Sequence, residues 1–241
     1  MAARTEPSVM RKLGLLLLLA LVLVYLYNFR VLDLARIPYM SGVIKNLYAF
    51  LNLGLASFVM ATVAARFVFP AVSAEGPAFW IIRTSPVSFK DFLWSKFWTG
   101  LIPLLLLSEG LTIVANEFLG VAPFLKVVTP IAILFMSIAL VGMAAGLGAR
   151  YPRFNADNPS QVAGSPGGIA YMIAAVSYIL AMVSLLAWTS SIYLFHMVRN
   201  LPFSGPQLLS MGSCFLGAAV LSVWLCVAQM RSGVRALGEL G

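Results

Sequence analysis

The side chains able to do acid–base, metal or nucleophilic chemistry are few in this sequence and far apart. His196 is the only histidine, Cys214 and Cys226 are the only cysteines, and Asp and Glu together number 8 in 241 residues. A metal centre or catalytic constellation needs several such groups at ligand or hydrogen-bond spacing, and no such cluster is written here. Nucleotide phosphate chemistry would call for a G-x-x-x-x-G-K-[ST] loop, yet the chain contains no Gly-Lys pair. The two cysteines fall in one apolar run, about 18 Å apart along a helix, too far for a disulfide within it. They read as small packing residues. The expectation is of no catalytic residue, no cofactor-binding residue and no metal ligand, hence not an enzyme.

One carboxylate is costly where it stands. Glu109 lies well inside an apolar run that begins near Phe97, about 18 Å from the start of that run. A carboxylate facing lipid at mid-membrane costs roughly 2.5 kcal/mol or more, so Glu109 should face protein or water, or be protonated. It is either a candidate for a substrate path or a structural carboxyl bonded to a neighbouring hydroxyl or amide.

The elements that would position these groups are set by hydropathy. Hydrophobic residues make up 61% and charged residues 10% of the chain, and mean hydropathy is +0.95. A soluble domain carries roughly 25% charged residues, so the reading is an all-α polytopic membrane protein. Six apolar spans are expected, near 13–29, 47–69, 97–115, 127–149, 168–194 and 207–230, forming a single transmembrane domain over 1–241. The first follows Arg4, Arg11 and Lys12 as a signal peptide would, but bulky Tyr25, Tyr27 and Phe29 replace a small-residue cleavage site, so it is kept as a span. Gly142 and Gly146 form a G-x-x-x-G pair that permits close helix contact.

The formal net charge of +8 does not imply nucleic acid, because the basic residues flank apolar runs where they anchor the chain to anionic lipid. With the N-terminus inside, the inner segments hold Arg4, Arg11, Lys12, Arg66, Arg83, Lys90, Lys96, Arg150, Arg153, Arg231 and Arg235. The outer ones hold Arg30, Arg36, Lys45, Lys126 and Arg199. Eleven of the 16 Lys and Arg residues on one side predict both termini on the cytoplasmic face.

Two inner loops stand out. From Ser73 to Trp98 runs SAEGPAFWIIRTSPVSFKDFLWSKFW, in which Pro77 and Pro86 bound short helical pieces. Ser88 with Asp91 three residues on reads as a capping box opening a helix through Lys96. Its aromatics form an apolar sector and Lys90, Asp91 and Lys96 a polar one, the pattern of an interfacial helix. It is either a site pushed by a partner or a loop resting on headgroups. The second, Gly146 to Gly168, is broken by Pro152, Asn158 and Pro159, and Ser165-Pro166 caps the helix that follows.

The runs RFVFPAVSAEGPAFWIIRTSPVSFKDFLWSK (Arg66 to Lys96) and YPRFNADNPSQVAGSPGG (Tyr151 to Gly168) resemble the permease subunits of type-2 ABC exporters, one branch in particular. The resemblance implies six spans, both termini inside a bacterial plasma membrane, an elbow helix around Met10, a polar outer segment near His196 to Pro206, and a coupling helix in the first inner loop. Carried over by position, Glu75, Gly76, Phe79, Trp80, Arg83, Ser85 and Pro86 would couple the chain to an ABC nucleotide-binding subunit that binds the ATP. The implied function is the transmembrane permease of an ATP-driven exporter, moving a hydrophobic or amphipathic substrate by alternating access. The chain resembles one half of longer family members, so its other partner would be a second copy or a separately encoded half. A secondary transporter and a non-transporting membrane scaffold are the alternatives.

Overall fold

The computed structural model describes residues 42–155, 158–199 and 205–239, and the described residues form helices joined by short turns and loops, without a strand. Five long helices dominate: α1 (Gly42–Phe67), α3 (Phe89–Leu119), α4 (Pro123–Arg150), α6 (Pro166–Arg199) and α7 (Gly205–Glu239), with short helices α2 (Phe79–Thr84) and α5 (Pro159–Ala163) between them. All five are long and apolar enough to cross a membrane, as an all-α polytopic membrane protein requires. The span expected near 13–29, the elbow around Met10 and residues 200–204 of the expected outer segment lie outside the described residues.

Helix ends follow local chemistry. α3 stops at Gly120, whose left-handed conformation (φ 56°, ψ 43°) only glycine adopts cheaply. Three residues later Pro123 opens α4, where its missing N–H costs nothing. At the other end of the bundle Ser165 accepts a hydrogen bond from the Gly168 N–H (3.2 Å) and Pro166 starts α6.

Helix α4 is the axis around which the others pack, and every residue from Ala139 to Ala149 is buried. Its run of Ala and Gly is what makes that possible, because small side chains let neighbouring backbones approach from all sides. A Cβ at Gly142 would stand 2.5 Å from Cys226 Sγ, and one at Gly146 would meet the Gln229 carbonyl, both on α7. The G-x-x-x-G pair is therefore an intramolecular seam, and Cys226 is one of its packing residues, unpaired as expected.

Hydroxyls and amides tie the helices together. Asn116 Nδ2 donates to Thr129 Oγ1 (2.7 Å) between α3 and α4, Tyr171 donates to the Ala61 carbonyl (3.2 Å) between α6 and α1, and Tyr178 shares a 2.7 Å bond with Ser222 between α6 and α7. In the membrane such bonds are worth about 0.6 kcal/mol each on average, so they set register more than total stability.

Candidate docking site at the loop end of the bundle

Both polar connections, residues 68–88 and 151–165, emerge at the same end as the C-termini of α1, α4 and α7 and the N-termini of α3 and α6. The first begins with a 3-10 turn, Phe69–Ala71, driven into the core: Phe69 is fully buried, stacks on Tyr171 (centroids 6.1 Å apart), and its carbonyl occupies the space a side chain at Gly148 would take. A second 3-10 stretch, Ser73–Ala78, turns the chain sideways. Its corner is Gly76, at φ 51° and ψ −131°, a conformation closed to residues with a Cβ. From there α2 lies across the bundle end, the chain extends at Ser85 (ψ 157°), and Ser88 caps α3 as a reciprocal pair with Asp91: Asp91 N–H donates to Ser88 Oγ (3.1 Å) and Ser88 Oγ donates to Asp91 Oδ2 (2.7 Å).

The two loops are clasped to each other. Ser73, buried, accepts a hydrogen bond at Oγ from the Arg153 N–H (3.0 Å). Phe79 is only 8% exposed. It stacks on Phe154 of the second loop at 4.7 Å and meets Phe89 and Phe92 of α3 at 6.3 and 6.4 Å. Glu75 pairs with Lys96, tying the start of the loop to the first turns of α3. The result is a cap anchored at three points.

The expected coupling residues thus divide by role. Glu75, Gly76 and Phe79 hold the cap together, and Ser85 caps the end of α2 by donating to the Ile82 carbonyl (2.8 Å) while Val87 N–H donates to it (3.4 Å). Trp80, Arg83 and Pro86 lie on the outer surface with Ile81 and Val87, and Trp80 is 64% exposed. Phe79, expected among the coupling residues, is an internal wedge behind the exposed Trp80. The alternation was hidden because a six-residue helix shows no periodicity to read. Sequence reasoning also missed Ser73, Arg153 and Phe154; their signal was only their position beside the two break points.

Glu109 lies half-buried on α3, flanked by the buried Ser108 and Thr112, and makes no hydrogen bond or ion pair among the described residues. The neighbouring hydroxyl expected to bond it is committed elsewhere: Ser108 Oγ bonds the Leu105 carbonyl (3.1 Å) and Ser137 (3.4 Å). An apolar cleft of about 620 Å³ lies nearer the cap, between α1 and α3, with Lys96 at its rim and Val63, Val68, Pro103 and Leu107 on its walls.

Fold and cap together define a polytopic helical membrane protein with a rigid, loop-built surface at one end. A family model described as "Putative ATP-binding cassette" matches residues 10–241, and the chain belongs to that family. It stands with the ABC transporters, membrane-associated through the five long apolar helices among its described residues. No curated protein and no solved structure matches it.

This membership corrects part of the sequence reading. The family description names an ATP-binding cassette and not a permease, so the assignment as permease subunit of a type-2 exporter, and the exporter function built on it, are overturned. With them go the expectations that the chain is no enzyme and that ATP is bound by a partner alone. The physical reason is that the resembling residues, 66–96 and 151–168, build a loop shape, and a loop shape does not say which subunit handles nucleotide. The family match assigns no nucleotide to a residue: the sequence has no G-x-x-x-x-G-K-[ST] run and the described residues no strand.

Proposed function

We propose that this chain is a membrane-embedded component of an ABC transporter and that its loop-end cap is the surface on which a nucleotide-binding subunit docks. The observation that carries the reading is the division of the cap: Phe79 wedged among Phe89, Phe92 and Phe154, Trp80 and Ile81 left outward on the same short helix, and Val87 outward in the turn that follows it. A contiguous exposed apolar patch on a rigid support marks an interaction site. Family membership supports the nature of the partner. Because the cap is tied to α1, α3 and α6, a push on Trp80 would reach three spans at once rather than bend a loop. A second copy of the chain, or a separately encoded counterpart, would complete the assembly.

A photo-reactive amino acid placed at Trp80 in intact membranes should cross-link to a P-loop ATPase. Trp80→Ala should weaken that association by about thirtyfold, the loss typical of an interface anchor worth 2 kcal/mol. Adducts with lipid alone, together with full association of Trp80→Ala, would sink the reading and leave α2 as a helix lying on headgroups.

A further inference from the structure

At the same end of the bundle, but away from the cap, a cavity of about 470 Å³ opens between the first turns of α3 and the last turns of α7. Its walls carry Lys90 and Trp94 from α3, and Met230, Arg231, Val234 and Arg235 from α7. Three cations therefore face one space with no carboxylate in its lining, and among the described residues none of the three forms a hydrogen bond or ion pair. Arg231 and Arg235 are one turn apart on α7, where like charges repel. Packing fixes this arrangement: a Cβ at Gly233, between the two arginines, would meet the Gly146 carbonyl at 2.9 Å and Leu93 Cδ2 at 3.0 Å, so α7 is pressed against α4 and α3 with little freedom to separate its charges.

Convergent, unpaired cations on rigid helices are the chemistry of phosphate recognition. Arginine offers forked donors that meet phosphate oxygens two at a time, and lysine adds a point charge. The rest of the wall is apolar, and Trp94, packed edge-on against Phe97 (5.1 Å), stands near the end of a long apolar helix, where aromatic residues are enriched at the level of lipid headgroups. We propose that this cavity binds a phosphate group, its oxygens accepting hydrogen bonds from Lys90, Arg231 and Arg235 and the apolar part of the ligand resting on Trp94, Met230 and Val234. Two sources supply that chemistry at this depth: the headgroup of an anionic phospholipid, and a soluble phosphate such as a nucleotide.

The test uses the full chain in nanodiscs, with two arms. In the first, discs of phosphatidylcholine with a minority of phosphatidylglycerol are dissociated and the lipids retained by the protein are weighed by native mass spectrometry. In the second, discs of phosphatidylcholine alone are titrated with inorganic phosphate and with ATP. Preferential retention of phosphatidylglycerol, falling about fivefold with each of Lys90→Gln, Arg231→Gln and Arg235→Gln, supports the site and makes the source lipid. Saturable binding of phosphate or ATP with the same dependence supports it and makes the source soluble. Identical behaviour of the native chain and the triple variant in both arms overturns it. The three side chains are exposed, so the variants should melt with the native protein, and Lys126→Gln, at the far end, should bind as the native chain does.

Discussion

At the residue scale, Phe79 and Trp80 are neighbours with opposite jobs, and their truncations should separate cleanly. Phe79→Ala empties the space between Phe89, Phe92 and Phe154. Core Phe→Ala changes cost about 3–5 kcal/mol, and at this margin of the bundle the lower figure is expected, read as a lower midpoint in thermal unfolding of the purified protein. Trp80→Ala removes a side chain that touches solvent, so stability should change by no more than about 0.5 kcal/mol while partner association falls. Equal melting of the two variants would mean that Phe79 does not wedge the cap. Glu109 gives a second contrast. It has no hydrogen-bonding partner among the described residues, so Glu109→Gln removes a charge without breaking a bond. It should leave the protein as stable as before or raise stability by up to about 2 kcal/mol, measured by denaturant unfolding in bilayers. A clear loss of stability would show that the carboxylate is held by something.

At the element scale, the clasp between the two loops depends on a buried Ser73 that accepts the Arg153 N–H. Ser73→Ala leaves that N–H without its acceptor, a cost of about 1–3 kcal/mol. Amide exchange at Arg153 should quicken while exchange in the middle of α4 stays slow; unchanged protection at Arg153 would remove the clasp from the account. On the other face of α4, Gly146→Ala would drive a Cβ into the Gln229 carbonyl, and overpacking of this kind costs about 1–3 kcal/mol. These elements also show what sequence makes legible. The Ser88–Asp91 cap, the Ser165-Pro166 start and the G-x-x-x-G seam rest on rules local to one helix and stand in the structure as read, and the described residues hold five helices apolar enough to span where six spans were expected over the whole chain. The clasp was not legible, since Ser73 and Arg153 are joined across the intervening two spans and no local pattern announces such a pairing. Nor was the basic cavity, whose Lys90 and Arg231 come from helices far apart in the chain. The division of labour between Phe79 and Trp80 was hidden for a related reason: which side of a short helix faces the bundle is decided by the loop that folds over it.

At the scale of the whole molecule, charge and length point the same way. At about 1.5 Å per residue, α3, α6 and α7, of 31, 34 and 35 residues, run about 46–52 Å, well beyond a hydrocarbon core of about 30 Å, so their ends must stand in water or headgroups. Among the described residues the loop end carries Arg66, Arg83, Lys90, Lys96, Arg150, Arg153, Arg231 and Arg235 against Glu75, Asp91 and Glu239, eight cations to three anions. The far end carries Lys45, Lys126 and Arg199 against Glu117, three to one, with Lys126 and Glu117 paired at 2.8 Å. Basic residues near span ends are retained on the cytoplasmic side, so the cap and the phosphate cavity should both face the cytoplasm. A docking face for a nucleotide-binding subunit has to lie there, where ATP is. With Cys214 and Cys226 replaced by alanine, a single cysteine at Val87 tests the cap without disturbing the Ser88 cap of α3, and one at Glu117, whose side chain is 66% exposed, tests the far end. A membrane-impermeant thiol reagent should label Glu117→Cys in intact cells and Val87→Cys only after permeabilisation. The reverse pattern would turn the protein over in the membrane and place the cap on the outside, where no nucleotide-binding partner could reach Trp80.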